Sequence, residues 1–171
     1  ALDPSPAEGL RGVDDHRGQL VLSTVRREGR AALIGYLPAG FPTVDGSIEA
    51  MTAMVEAGCD VIEVGLPYSD PTMDGPTIQK AADAALAAGT TPPDVLRVVE
   101  AVAATGAAVL VMSSWNPVER YGVGRFVRDL TKAGGSGVIT PDLIPDEADA
   151  WLAAAREADL STVFLVAPSS T

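Results

Sequence analysis

Residues Cys59–Gln79 read CDVIEVGLPYSDPTMDGPTIQ. The apolar run Val61-Ile62-Glu63-Val64 has the look of a strand with one carboxylate among β-branched residues. A turn rich in Gly, Pro and Asp follows, carrying Asp70 and Asp74, and Pro76 then opens a helix. A strand that delivers an acid into a loop, which in turn starts a helix, is how a βα-barrel sets chemistry at one rim. Val61, Glu63 and Gly65 share one face of the strand, and Ile62 and Val64 the other. If Ile62 and Val64 meet the helix layer, Glu63 points inward near the C-terminal rim. Partial desolvation there raises its pKa and suits it to proton transfer near neutral pH. The competing reading is a structural carboxylate paired with a distant Lys or Arg, because an unpaired buried Glu is costly. Asp74 is equally suited to chemistry and to favouring the helix N-terminus electrostatically. Asp70 and Ser69 are expected to shape the turn through side-chain to backbone hydrogen bonds. Two acids with no histidine nearby supply too few convergent ligands for a metal.

Working outward, the same βα rhythm recurs on both sides. Upstream, Ala31–Tyr36 (AALIGY) reads as the first strand and Leu37–Pro42 as its exit loop. Ile48, Met51, Met54 and Val55 form the stripe of a helix packed on a sheet. Leu20/Val21 and Thr24/Val25 predict an amphipathic helix over 17–30. Residues 1–15 carry Pro4, Pro6, Gly9 and Gly12 and read as a mobile N-terminal tail, with the single histidine, His16, exposed beside it. Downstream, the helix from Pro76 ends near Ala88, and Val95, Val98, Val99 and Val102 mark another. Ala108–Met112, Gly137–Thr140 and Thr162–Val166 are strands, with Ser113–Pro117 read as an exit loop. Val123, Phe126, Val127 and Leu130 mark one intervening helix, and Ala148, Trp151, Leu152 and Ala155 the next. Alternating strands and helices joined by short loops make an α/β fold of parallel βαβ units. Continuously apolar strands fit a sheet covered on both faces. No Gly-rich dinucleotide fingerprint follows the first strand, which favours a barrel over a doubly wound sheet. Residues 16–171 are thus expected to form a partial βα-barrel domain holding strands one to five.

At 171 residues with 47% hydrophobic and 20% charged content, the chain suits one globular domain. A net charge of −11 argues against nucleic acid or an anionic membrane as its main partner. The single cysteine, Cys59, cannot form an intrachain disulfide and reads as a small buried apolar residue. No signal peptide or membrane-spanning run is evident, so a cytoplasmic location is expected.

The stretch EVGLPYSDPTMDGPTIQ closely resembles the signature of the tryptophan synthase alpha chain family. The similarity continues through LPAGFPT, WNPVERYGV, ITPDLIPDEA and VFLVAPSS, in the family's order and spacing, over about Ala31–Thr171. The resemblance implies a (β/α)8 TIM barrel acting as a lyase in tryptophan biosynthesis. It would cleave indole-3-glycerol phosphate to indole and glyceraldehyde 3-phosphate by a cofactor-free retro-aldol reaction. By motif position, Glu63 matches the family's catalytic acid/base and Asp74 its second essential carboxylate. The implied partner is the tryptophan synthase beta chain, in a heterotetramer with pyridoxal phosphate bound only on that beta chain. The loop holding Asp74 would face it.

Two departures accompany the resemblance. The family usually has Tyr where this chain has Ser114. A barrel of this kind runs to about 250 residues, which places strands six to eight, the phosphate-binding loops and the lid beyond residue 171, so residues 1–171 alone are not expected to be active. A non-catalytic binding or activating subunit, and a stand-alone indole-releasing lyase, are the alternative readings.

Overall fold

The computed structural model of the chain describes residues 17–168. The tail over 1–15 and His16 lie outside the described residues. In chain order the elements are α1 (Arg17–Arg27), β1 (Ile34–Pro38), α2 (Val44–Glu56), β2 (Val61–Gly65), α3 (Pro76–Ala87), α4 (Pro92–Ala103) and β3 (Ala108–Met112). They continue with α5 (Trp115–Tyr121), α6 (Val123–Lys132), β4 (Gly137–Thr140), α7 (Asp149–Glu157) and β5 (Ser161–Phe164). The five strands are all parallel and lie in the order β1-β2-β3-β4-β5. A doubly wound sheet reverses its strand order at a switch point. This sheet never does, as expected of a barrel wall. None of the described helices is long and apolar enough to cross a membrane.

The sheet has two unlike faces. On the outer one, Ile62 and Val64 of β2 and Val109 and Val111 of β3 have no solvent exposure. They pack in one cluster with Val95, Val98, Val99 and Val102 of α4. Those valines recur at helical spacing, so one stripe of α4 seals two strands. Met51 of α2 joins the same cluster, and α2 starts where Thr43 Oγ1 accepts from the Gly46 amide at 3.0 Å. Farther along the sheet, Trp151 of α7 is fully buried and meets Trp115 of α5 edge-on at 5.9 Å. Cys59 packs against this core as an apolar residue would, but it is only partly buried rather than buried as expected. The inner face holds Tyr36, Glu63, Leu110 and Ile139, all only partly buried.

Strands β2, β3 and β4 fall where the pattern predicts them, whereas four features differ. The first strand begins at Ile34 rather than Ala31, because the segment before it is anchored to β2's entry. Asp60 takes Arg30 Nη1 and Nη2 at 2.8 and 2.7 Å and the Leu33 amide at 2.8 Å. The Asp60 amide in turn donates to the Leu33 carbonyl at 2.8 Å, and ladder pairing then starts at Ile34 opposite Val61. The helix expected over 17–30 stops at Arg27, where Gly29 turns the chain with φ +72°. Finally, residues 115–121 form a helix where a loop is expected. Pro117 sits in its first turn, where a missing N–H breaks no helical bond. The fifth strand also stops two residues early, at Phe164 rather than Val166, since Leu165 and Val166 are 46% and 83% exposed.

The Arg30–Asp60 anchor carries a pH signature. The Arg30 guanidinium, and after it the Leu33 amide, lowers the Asp60 carboxyl from 3.8 to about 2. A carboxyl depressed in the folded state stabilises above its ordinary value, and that stabilisation is lost as pH falls through the folded one. Thermal melts between about pH 5 and about pH 2 should therefore fall less steeply for Asp60→Asn than for the parent. Equal slopes would show that the anchor does not contribute.

Candidate active site

Strand β2 ends at Gly65, and the chain crosses Leu66–Asp74 before Pro76 begins α3. Gly65 permits a close approach. A Cβ there would lie only 2.5 Å from Tyr36 Oη and 2.9 Å from its Cζ, so the Tyr36 ring from β1 occupies the space a side chain would need. Parallel pairing also sets Tyr36 directly opposite Glu63. The phenol therefore leans across the inner face above Glu63, toward the C-terminal ends of the strands.

A cleft opens at that end. It is lined by Tyr36, by Leu66, Tyr68 and Pro71–Asp74 from the loop after β2, by Met112–Ser114 at the end of β3, and by Pro141 after β4. Two cross-links hold its walls. Asn116 Nδ2 donates to Tyr68 Oη at 2.8 Å, and the Trp115 amide donates to Asp142 Oδ1 at 2.8 Å. Loops after β2, β3 and β4 are thereby tied into one rim. Ser114 stands in the cleft wall, and Ser113 donates to the Ser114 carbonyl.

Asp74 lines the cleft, while Glu63 is not part of that lining and sits one pleat deeper on β2. Neither carboxylate forms a hydrogen bond or ion pair among the described residues. The distant cation allowed for Glu63 is therefore not found among them. Burial raises the pKa of both groups. Asp74 does not cap α3, whose N-cap is Gly75. The backbone carbonyl of Asp74 accepts from Gln79 Nε2 at 2.7 Å, which leaves its carboxylate free for the cleft. Desolvation outweighs any lowering by the helix terminus. Ser69 and Asp70 differ from expectation, because Ser69 Oγ donates to Asp70 Oδ2 at 2.7 Å rather than either bonding the backbone. No group of three or more possible metal ligands gathers among the described residues.

Tyr36 is the site residue that sequence reasoning passed over as the end of a strand. Burial, then Asp74, then Glu63 push its phenol well above the ordinary value, so it stays a proton-bearing donor between two acids. The available signal was alternation, which puts Tyr36 on the inner face once the strand's neighbour is known. Asn116 and Asp142 stood in recognisable motifs, but only the fold shows what they fasten.

Comparison with known proteins adds a family. A family model described as tryptophan synthase alpha chain matches residues 22–171. The tryptophan synthase alpha chain of Thermobifida fusca (strain YX) is 67% identical over 150 residues, covering 88% of this chain and 56% of the relative. That of Salinispora tropica is 68% identical over 146 residues, covering 85% and 55%. Among solved structures, the aminoacrylate-bound form of tryptophan synthase from M. tuberculosis aligns with a TM-score of 0.89 at 60% identity, over 91% of this chain and 63% of that one. The tryptophan synthase subunit alpha of Legionella pneumophila str. Paris aligns with a TM-score of 0.87 at 33% identity, over 91% and 60%. The chain thus spans about half the length of the curated relatives it matches.

The raised pKa of Glu63 has a consequence for stability. A carboxyl that binds its proton more tightly when folded makes the fold lose stability as pH rises from the unfolded value through the folded one. Glu63→Gln abolishes that loss. Its melting temperature at neutral pH should equal or exceed the parent's, and its advantage should shrink as the pH is lowered. A variant clearly less stable at neutral pH would reveal a structural partner for Glu63.

Proposed function

The chain belongs to the tryptophan synthase alpha chain family, and from that membership we propose that it supplies the carboxylates for retro-aldol cleavage of indole-3-glycerol phosphate to indole and glyceraldehyde 3-phosphate. The observation that carries the proposal is the pair of partly desolvated acids, Glu63 and Asp74, with no cation beside them among the described residues. Cleavage breaks the bond between indole C3 and the first glycerol carbon. It requires a proton on C3 and loss of one from the hydroxyl of that glycerol carbon. Glu63, held partly desolvated, suits both transfers because a general acid/base works best with its pKa near the operating pH. Protonation of C3 puts positive charge on the ring, and an ionised Asp74 beside the indole N–H stabilises it. The proton taken up by one fragment equals the proton lost by the other, so the reaction needs no redox group and no cofactor.

The loop from Tyr68 to Asp74 serves in this reading as both chemical wall and docking edge. Met73 is 56% exposed at its tip, and Phe41 is 36% exposed on the loop after β1. Apolar side chains presented at a rim suit a protein partner. The proposed partner is a tryptophan synthase beta chain that receives the indole and carries the pyridoxal phosphate, in a cytoplasmic heterotetramer.

The test is indole release by the full-length protein, with the beta chain present and absent. Glu63→Gln should bind the substrate yet lose about a hundredfold to ten-thousandfold in turnover. Asp74→Asn should lose activity with little change in melting temperature. Turnover within a few-fold of the parent for Glu63→Gln would make that residue structural and overturn the assignment.

A further inference from the structure

We infer that Tyr36 is a positioning residue of this site: its hydroxyl, carried by β1 across Gly65, donates to the Asp74 carboxylate when substrate closes the cleft and keeps Asp74 ionised while Glu63 carries the proton. The inference rests on the lyase reading above. Two carboxyl groups with different tasks need environments that separate their proton affinities. Burial acts on both in the same direction, and a donor that reaches Asp74 but not Glu63 would widen the separation.

Tyr36 has the right place for this. Its hydroxyl lies where a Gly65 Cβ would stand, two residues beyond Glu63 along β2 and toward the rim from which the Asp74 loop departs. Tyr36 and Asp74 both line the cleft, and Glu63 does not. The Tyr36 hydroxyl forms no hydrogen bond among the described residues, whereas Tyr68 Oη already accepts from Asn116 and Ser113 Oγ is spent on a carbonyl. Of the two acids, the charge of Asp74 acts on the phenol more strongly than that of Glu63. Among the described residues no other charge competes from the inner face, where β3 offers Leu110 and Met112. The helices against β1 carry Asp45, Glu49, Glu56, Lys80 and Asp83, all exposed at the outer surface, and Asp70 is occupied by Ser69. Bonds of this kind are often long in an unliganded site and tighten in the substrate complex.

The experiment is the pH profile of kcat for the full-length protein and its Tyr36→Phe variant. Removing a donor from an ionised carboxylate raises its pKa. The acid limb of Tyr36→Phe should therefore move up by about one pH unit, a loss of about tenfold on the acid side. Turnover at higher pH should change little. Gly65→Ala, which drives the phenol from its place, should shift the limb the same way. In an Asp74→Asn background, Tyr36→Phe should shift the residual profile no further. A limb that coincides with the parent's, a shift that persists without Asp74, or a uniform loss at every pH would each overturn the role of Tyr36. Parental turnover by Glu63→Gln would instead overturn the lyase reading and this inference with it. An unmoved limb beside an inactive Glu63→Gln would remove Tyr36 alone.

Discussion

Ile62 and Val64 are sealed from solvent against α4, and a strand turns alternate side chains to opposite faces. Their burial obliges Glu63 to point inward. Reversing that choice would expose two large apolar side chains and push a carboxylate into a cluster of valines, each change costing on the order of kilocalories. The orientation of the acid is therefore enforced by the packing of its neighbours. The same alternation, passed across the ladder to β1, turns Tyr36 to the same side.

Paired and unpaired carboxylates are separated along the sheet. Near the strand starts, Asp60 gathers Arg30 and the Leu33 amide, so its charge is fully compensated and its pKa falls. Near the strand ends, Glu63 and Asp74 lack such partners, and their pKa values rise. One residue type behaves oppositely at the two ends because a cation and an amide are present at one and missing among the described residues at the other. Holding unpaired acids half-desolvated costs folding free energy, which the valine-rich outer layer offsets.

The rim is built from connections rather than from any one loop. Tyr68 with Asn116, and Asp142 with the Trp115 amide, tie the exits of β2, β3 and β4 together. Trp115 begins α5, and its ring packs edge-on against Trp151 of α7. A loop bearing Asp74 is thus braced by side chains from the next two βα units. In the lyase reading proposed above, Asp74 needs this kind of support, since small displacements of a reacting group are expensive in rate.

The sequence by itself determined the order and type of most elements, because a helix stripe or a strand run is written in neighbouring residues. Cys59–Gln79 sufficed to place β2, its acid and the start of α3, and the motif resemblance named Glu63 and Asp74 together. It did not determine where β1 begins, because that depends on Asp60 reaching back to Leu33 and Arg30 across about thirty residues. Nor did it reveal α5, since Trp-Asn-Pro is a loop by propensity and becomes a first helical turn only when Asp142 receives the Trp115 amide. Asp74 read equally well as a helix-end charge, and only the fold shows that Gly75 takes the cap position while Asp74 lines the cleft. Tyr36 gained its place from a register and from a missing Cβ on another strand. Periodicity is local, but partners and desolvation arise between segments far apart in the chain, so only the tertiary structure could decide them.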